Sequence, residues 1–276
     1  MKNVRLVCIG AGNMGTAFVK GLVDAGLLLP SRITVTDKTQ RRLTHAHREL
    51  RVKTSRDNAQ AVKKANIVVL AVKPQILDQV LTEIKATVAK ETLFLSIAAG
   101  YPTGLIENLL GNKARVVRAM PNIAAIVGQA ATAICKGKYA RKRELNLARK
   151  LFEACGLVIE VEENKMDAVT GLSGTGPMYV FIIIEALSDA GVRMGLGRYE
   201  STRLATQTVL GAAMMVEQTG QHPIFLKDLV TSPGGTAINA LYSMEKTGMR
   251  AVLMEAVETA TKKSQELGRP FNNKHD

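Results

Sequence analysis

The chain has 276 residues, and 37 Lys+Arg against 24 Asp+Glu give it a formal net charge of +13. A hydrophobic content of 46% is ordinary for a globular protein and excludes wholesale disorder. Three cysteines without a close pair predict neither a disulfide framework nor a metal site. No zinc spacing or aromatic ribonucleoprotein motif accompanies the basic charge, so no nucleic-acid partner is expected.

The apolar runs of the chain are short. Runs such as 180–184 are far below the ~20 residues of a helical membrane span, so no membrane partner is expected. No run of signal-peptide length precedes Gly10. We therefore expect a soluble, cytoplasmic protein.

Short β-branched runs alternate with helical patterns in the first half of the chain. The predicted strands are 4–9, 33–36, 67–72, 93–97, 116–118, 131–135 and 157–161. The clearest predicted helices between them are 14–25, 76–88 and 141–155. Nearly continuous apolar strands that alternate with helices predict βαβ units and a parallel sheet covered on both faces.

The pattern changes after about residue 163, because 165–267 has helical runs and no clear strand. We predict an α/β Rossmann-like domain over 1–163 and an all-α domain over 164–276. The stretches 179–190 and 204–216 are apolar around most of the helix circumference, which is typical of deep burial. So small a domain predicts burial against a second subunit.

A phosphate-binding motif follows the first predicted strand. Residues 10–15 read Gly-Ala-Gly-Asn-Met-Gly, a G-x-G-x-x-G sequence at the start of a helix. Gly10 permits the tight turn, Gly12 lets backbone approach a pyrophosphate, and Gly15 allows helix and strand to pack closely. The motif indicates dinucleotide binding, with a glycine-rich turn lacking a ligand as the weaker interpretation.

The sequence gives conflicting evidence on the choice between NADH and NADPH. Asp37 lies 22 residues after Gly15, where a carboxylate accepts hydrogen bonds from ribose hydroxyls and repels a 2′-phosphate. Lys38, Arg41 and Arg42 follow at once, and cations there favour NADPH. A solvated helix start explains these cations equally well, so both cofactors stay open.

Loops at the carboxyl ends of parallel strands line the ligand crevice of such folds. The predicted strands end in three small-residue or proline-containing loops, 71–74, 96–100 and 118–122. We expect them to allow close approach of a ring. Lys73 has two interpretations, as a ligand contact or as a structural residue bonded to loop carbonyls.

These segments, together with several in the second half, resemble the pyrroline-5-carboxylate reductase family over essentially the full chain. The matching segments are 10–15, 71–74, 96–100, 118–122, 171–179, 219–223, 226–228 and 232–236. The resemblance implies a Rossmann domain followed by a helical dimerisation domain, a homodimer with interlocked helices, and rings such as decamers built from dimers. It implies reduction of L-1-pyrroline-5-carboxylate to L-proline, the last step of proline biosynthesis, with NAD(P)H and a substrate pocket at the dimer interface.

The resemblance also implies the site residues. The expected cofactor-binding residues are Gly10, Ala11, Gly12, Asn13, Met14, Gly15, Asp37, Lys38, Asn58, Ala71, Val72, Lys73, Pro74, Ile97, Ala98 and Ala99. The expected substrate-binding residues are Glu163, Ser232, Gly234, Gly235, Thr236 and Ala237, with Thr236 as the catalytic residue. Many members carry a second threonine where this chain has Ala237, so the identity of the proton donor stays open among Thr236, Ser232 and an ordered water.

The residues themselves are compatible with imine reduction. A protonated cyclic imine is already electrophilic, so a strong general acid is not essential, and the cofactor carries the hydride step. The glycines before the helical run 237–246 offer backbone N–H groups for the substrate carboxylate. A simple Ser/Thr cap of that helix is the alternative interpretation.

Two other functions fit the same architecture. A hydroxyacid dehydrogenase of the β-hydroxyacid type uses a lysine on an interdomain helix, and 166–226 contains none. A catalytically silent dinucleotide-binding protein has only Ala237 in its favour. The reductase is the preferred prediction.

Overall fold

The computed structural model describes residues 4–111 and 113–272, with side chains as far as residue 268. Its strands are β1 (Leu6–Ile9), β2 (Ile33–Thr36), β3 (Lys53–Ser55), β4 (Ile67–Leu70), β5 (Leu93–Ser96), β6 (Arg115–Met120), β7 (Ala130–Lys136) and β8 (Gly156–Glu160). Its helices are α1 (Asn13–Asp24), α2 (Gln40–Leu50), α3 (Asn58–Val62), α4 (Leu77–Ile84), α5 (Thr103–Leu110), α6 (Lys142–Phe152), α7 (Met166–Val169), α8 (Gly176–Arg193), α9 (Arg198–Thr219), α10 (Pro223–Leu229), α11 (Thr236–Lys246) and α12 (Met249–Asn272).

The strands of the described residues form one eight-stranded sheet in the order β3-β2-β1-β4-β5-β6-β7-β8. Neighbouring strands are parallel except β6 and β7, which are antiparallel. The chain order reverses direction at β1, between β2 and β4, which is where doubly wound sheets bind ligands. The predicted Rossmann-like α/β fold with a helical C-terminal region is confirmed.

Both faces of the sheet are buried under helices. Along β1, Leu6 and Cys8 belong to one apolar cluster with residues of α1 and α6, whereas Val7 and Ile9 belong to another with residues of α4 and α5. This alternation is the two-residue period of a strand. A strand covered on both faces needs apolar residues at every position, which explains the continuous apolar runs in the sequence.

Strand β3 escaped prediction. Lys53–Ser55 has no apolar residue, and it lies at the edge of the sheet beside β2, with Thr34 opposite Lys53. Two of its three side chains are exposed. An exposed edge strand needs no apolar face, so the hydropathy pattern of the sequence does not reveal it.

The chain folds into two compact units, and residues Gly176–Val257 form the second. Helices α8 and α9 pack on each other there. Arg198 donates hydrogen bonds to Ser188 at 3.1 Å and Asp189 at 2.5 Å, and the hydroxyls of Ser188 and Thr202 lie 2.8 Å apart. The first unit consists of the residues up to 175 together with those from 258 onward.

The apolar surfaces of α8 and α9 are exposed in the single chain. Phe181 is 62% exposed and Leu204 is 58% exposed. Their burial against a second subunit stays a prediction, because the structure contains one chain. Large exposed apolar side chains on neighbouring helices are compatible with that prediction, since exposed apolar patches are typical of interaction surfaces.

One helical segment among the described residues, 163–193, is long and apolar enough to cross a membrane by length and composition. Unbroken apolar runs in the sequence predicted no membrane span. The segment 163–193 meets the criterion because its hydropathy is averaged over a window, to a mean of 1.2, and the average allows isolated charged residues. Helices that bury apolar surface against protein pass the same test, so the finding is weak evidence for a span. The exposed surface of α8 accounts for it equally well.

Phe152 of α6 is a suitable probe of the core, since it is 1% exposed and its ring centroid lies 4.7 Å from that of Phe18. We expect Phe152→Ala to lower the free energy of unfolding by about 3–5 kcal/mol through lost burial and a residual cavity. Leu29→Ala, at a 65% exposed position, should change it by about 0.5 kcal/mol or less. Urea unfolding at a fixed protomer concentration measures both, and equal losses would contradict the assigned core.

Candidate active site

The turn after β1 brings three parts of the backbone together at Gly10. Its N–H donates to the carbonyl of Thr36 at 2.7 Å, and its φ is +110°. A Cβ at this position would lie 2.4 Å from the carbonyl oxygen of Ala71. Only glycine fits here, because a side chain meets both a steric clash and an unfavourable backbone conformation.

Helix α1 starts directly after this turn. Gly12 is its N-cap residue, no side chain caps the helix, and a Cβ on Gly12 would meet nothing within 4 Å. A Cβ on Gly15 would lie 2.3 Å from the carbonyl oxygen of Gly10. The tight packing at Gly15 therefore holds the start of α1 against β1, while the N–H groups of its first turn stay available to an anion.

A cavity of about 1350 Å³ opens at this edge of the sheet. The predicted cofactor residues that line it are Ala11, Gly12, Asn13, Met14, Ala71, Val72, Lys73, Pro74, Ile97, Ala98 and Ala99. They come from the ends of three neighbouring strands, β1, β4 and β5. Its size and its open helix N-terminus fit a dinucleotide, whose pyrophosphate would meet the first turn of α1.

The other predicted cofactor residues do not line this cavity. Gly10 and Gly15 shape the turn behind it. Asn58 is buried, accepts a hydrogen bond from the Thr36 hydroxyl at 2.6 Å and donates one to Glu83 at 3.0 Å. Through these contacts Asn58, in α3, links the end of β2 to α4 and so has a structural role.

Asp37 is held by the protein's own groups. Its carboxylate accepts hydrogen bonds from the N–H groups of Ala11 at 3.0 Å and Thr39 at 2.8 Å, and it lies 3.5 Å from the Arg42 guanidinium. Partial burial raises its pKa, but these hydrogen bonds and the Arg42 charge outweigh burial, so its pKa lies below the ordinary value. Asp37 therefore stays ionised at neutral pH.

Helix α2 forms one wall of the cofactor cavity, and the sequence indicated only some of the residues in that wall. Arg41 and Arg42 line the cavity, as do His45 and Arg48, whereas Lys38 does not. The spacing of 41, 45 and 48 places these side chains on one helix face, which is the pattern that could have identified them. Ile126 also lines the cavity, and no local pattern pointed to it.

Glu163 is fixed in the first unit by two residues. Its carboxylate accepts from the Thr103 N–H at 2.7 Å and from the Thr103 hydroxyl at 2.6 Å. Arg118, whose side chain is 6% exposed, lies 3.4 Å away. Burial raises the pKa of the nearby Glu107, and the negative charge of Glu163 adds to that rise. The two hydrogen bonds from Thr103 fix the orientation of the Glu163 carboxylate.

The predicted substrate loop lies before α11 in the second unit. Gly234 has φ +67°, and a Cβ on Gly235 would lie 2.3 Å from the Ser232 hydroxyl oxygen. Gly235 is the N-cap residue of α11 and no side chain caps the helix. Thr236 is exposed in its first turn. The Ser/Thr capping alternative is therefore wrong, and the first-turn N–H groups are free to bind a carboxylate.

Two family profiles match the chain. Pyrroline-5-carboxylate reductase dimerisation matches residues 163–267, and NADP oxidoreductase coenzyme F420-dependent matches residues 5–100. The first covers the helical region after β8, and the second covers the sheet as far as the loop after β5.

Full-length relatives and solved structures agree with these matches. The pyrroline-5-carboxylate reductase of Methanosarcina acetivorans is 46% identical over 98% of this chain and 100% of its own, and that of Glycine max is 44% identical over 94% of each. The crystal structure of the Plasmodium falciparum pyrroline carboxylate reductase with NADP bound has a TM-score of 0.88, with 33% identity over 97% of this chain and 99% of that one. A pyrroline-5-carboxylate reductase from Coxiella burnetii has a TM-score of 0.89, with 38% identity over 96% and 99%. The chain belongs to the pyrroline-5-carboxylate reductase family.

Proposed function

We propose that this protein reduces L-1-pyrroline-5-carboxylate to L-proline with NADPH or NADH. The observation that carries the proposal is the cavity at the switch point of the sheet, lined by an open helix N-terminus in a chain of this family. Gly12 and the first turn of α1 would hold the pyrophosphate, and the loops 71–74 and 97–99 would contact the nicotinamide half. The bound nicotinamide supplies the hydride that reduces the imine carbon.

The second unit binds the substrate carboxylate in this proposal. Ser232, Gly234, Gly235, Thr236 and Ala237 surround the uncapped start of α11, where backbone N–H groups and the positive end of the helix dipole attract an anion. Backbone donors avoid placing a lysine next to the positively charged iminium. The site therefore holds the substrate without opposing the charge on which hydride transfer depends.

The roles of Thr236 and Glu163 follow from the same electrostatics. The exposed hydroxyl of Thr236 is a donor near the carboxylate site and our candidate for passing a proton to the ring nitrogen. Ala237 has no hydroxyl, so no second donor from this position competes with it. Glu163 borders the substrate, and its fixed negative charge favours a protonated imine.

The organisation of the protein is part of the proposal. We assign residues 1–163 to the cofactor domain and residues 164–276 to the helical domain that forms a homodimer, with decamers built from dimers. The exposed apolar surfaces of α8 and α9 and the match to a dimerisation profile support a helical interface. We further propose that the protein is soluble and cytoplasmic and has no nucleic-acid or membrane partner.

The direct test is reduction of pyrroline-5-carboxylate by the purified protein, followed as loss of reduced-nicotinamide absorbance with NADPH and NADH in parallel. We expect turnover with at least one cofactor and formation of L-proline. A folded sample that binds the cofactor and does not turn over would contradict the proposed reaction and favour the catalytically silent alternative.

Gly12 tests the cofactor loop. We expect Gly12→Glu to raise the Kd for NADPH at least about 100-fold, equivalent to ~2.7 kcal/mol, because it places bulk and negative charge against the pyrophosphate. The protein has room for the new side chain, since nothing lies within 4 Å of a Cβ there. Gly104→Glu is the matched control at another open helical glycine, and it should leave cofactor titrations unchanged. Equal Kd values for the two variants would remove Gly12 from the cofactor site.

Asp37 tests the choice of cofactor. We expect Asp37→Ala to raise the NADPH/NADH ratio of kcat/KM about tenfold, or ~1.4 kcal/mol, because the carboxylate that repels a 2′-phosphate is lost while Arg41 and Arg42 remain. Glu153→Ala removes an exposed carboxylate elsewhere and should leave the ratio unchanged. Loss of the N–H contacts to Asp37 weakens both cofactors, so the ratio is the informative quantity. An unchanged ratio would show that Asp37 does not act on the ribose.

A further inference from the structure

A second cleft lies at the opposite edge of the sheet, where the parallel strands begin. It has a volume of about 370 Å³ and is lined by Arg5, Arg32, Lys53 and Lys64, together with the hydroxyls of Ser31 and Thr34 and a short apolar floor. We call it the basic cleft. Small-molecule sites have volumes of ~300–1,000 Å³, so a small ligand fits.

The sheet register explains why these cations converge. Leu6 of β1 pairs with Ile33 of β2, so Arg5 and Arg32 directly precede paired residues, with Arg32 as the last residue of the short helical turn Pro30–Arg32. Lys53 of β3 pairs with Thr34, two residues after Arg32. Residues opposite each other on neighbouring strands share a face of the sheet, so Lys53 and Thr34 do, and both line the cleft.

The backbone around Arg5 is also fixed. Its carbonyl accepts hydrogen bonds from the N–H groups of Asn66 at 2.9 Å and Ile67 at 3.2 Å, and its own N–H donates to the Asn66 side chain at 2.8 Å. Lys64 lies two residues before Asn66, at the end of the α3 region. The segment that carries Lys64 is therefore tied directly to the start of β1.

The basic cleft has no acidic lining residue in the part of the chain that the structure describes. None of its four cations lies within 4 Å of a carboxylate there, whereas basic residues elsewhere, such as Arg115 and Lys142, are paired with glutamates. Four cations that line one cleft repel one another, and no lining carboxylate among the described residues offsets them. A bound anion would relieve that repulsion.

We propose that the basic cleft binds a multivalent phosphate anion, such as a pyrophosphate or triphosphate group. Four cations match three or four negative charges better than they match one carboxylate, and Lys and Arg are the usual phosphate ligands. The hydroxyls of Ser31 and Thr34 add neutral donors. The site is separate from the cofactor cavity, because Arg5 and Gly10 lie at opposite ends of β1, about 16 Å apart.

Calorimetric titration of the full chain with inorganic pyrophosphate and tripolyphosphate tests the proposal. The titrations use the Gly12→Glu background, in which the phosphate loop is blocked. The Gly12→Glu protein is the parent of the variants below, so any polyphosphate binding that remains at the phosphate loop is the same in all of them. We expect both polyphosphates to bind more tightly than orthophosphate, with affinity that falls as NaCl is raised.

Two double variants with the same change of charge separate the basic cleft from general basicity. Arg32→Gln/Lys64→Gln should weaken pyrophosphate binding at least about tenfold, since it removes two charge-assisted contacts to the phosphate oxygens. Lys90→Gln/Lys138→Gln alters another basic depression, which contains Glu91, and should change the affinity less than about twofold. Unfolding curves that overlay the parent's establish that both variants are folded. Equal affinities for the two variants, or no detectable binding by the parent, would overturn the assignment.

Discussion

The active-site edge depends on the close approach of Gly10 to the backbone of Ala71. The carbonyl oxygen of Ala71 occupies the space that a Cβ on Gly10 would need, and the Gly10 carbonyl occupies the corresponding space at Gly15. The Gly10 N–H is bonded to Thr36 at the end of β2. The ends of β1, β2 and β4 and the start of α1 are thereby held together before any ligand arrives. Donors positioned in advance lose little conformational entropy when a pyrophosphate binds.

The sequence predicts this region well because its constraints are local and covalently close. Apolar runs identify the buried strands, and the glycine spacing of 10–15 identifies the turn. Strand β3 has no such pattern in the sequence. Its exposed residues, Lys53–Ser55, form a strand because they pair with β2. The contribution of α2 to the cavity was found only in part for a related reason. A polar helix face looks the same whether it meets solvent or ligand.

Two predicted cofactor residues, Asn58 and Asp37, have contacts that sequence spacing alone does not give. Asn58 accepts a hydrogen bond from Thr36 and donates one to Glu83, so both polar atoms of its side-chain amide are engaged within the fold. Asp37 accepts the N–H of Ala11 and so joins the end of β2 to the phosphate loop. Because its pKa is lowered in the folded state, this contribution to stability is present above the ordinary pKa and is lost as the pH falls through the lowered value. Such long-range pairings cannot be found from a single sequence without the fold.

The two edges of the sheet present positive potential in physically different ways. At the carboxyl edge, the start of α1 offers oriented N–H groups that carry no net charge, and Asp37 lies next to them. Binding at these N–H groups depends on shape and direction, while Arg41, Arg42 and Arg48 on the wall of the same cavity add whole charges. At the amino edge, the basic cleft relies on whole charges on flexible side chains without a carboxylate among the lining residues that the structure describes. Attraction of that kind is less directional and is screened by salt. One sheet can therefore hold a cofactor site with directed N–H donors at one edge and an anion site built from side-chain charges at the other, with β1 separating them.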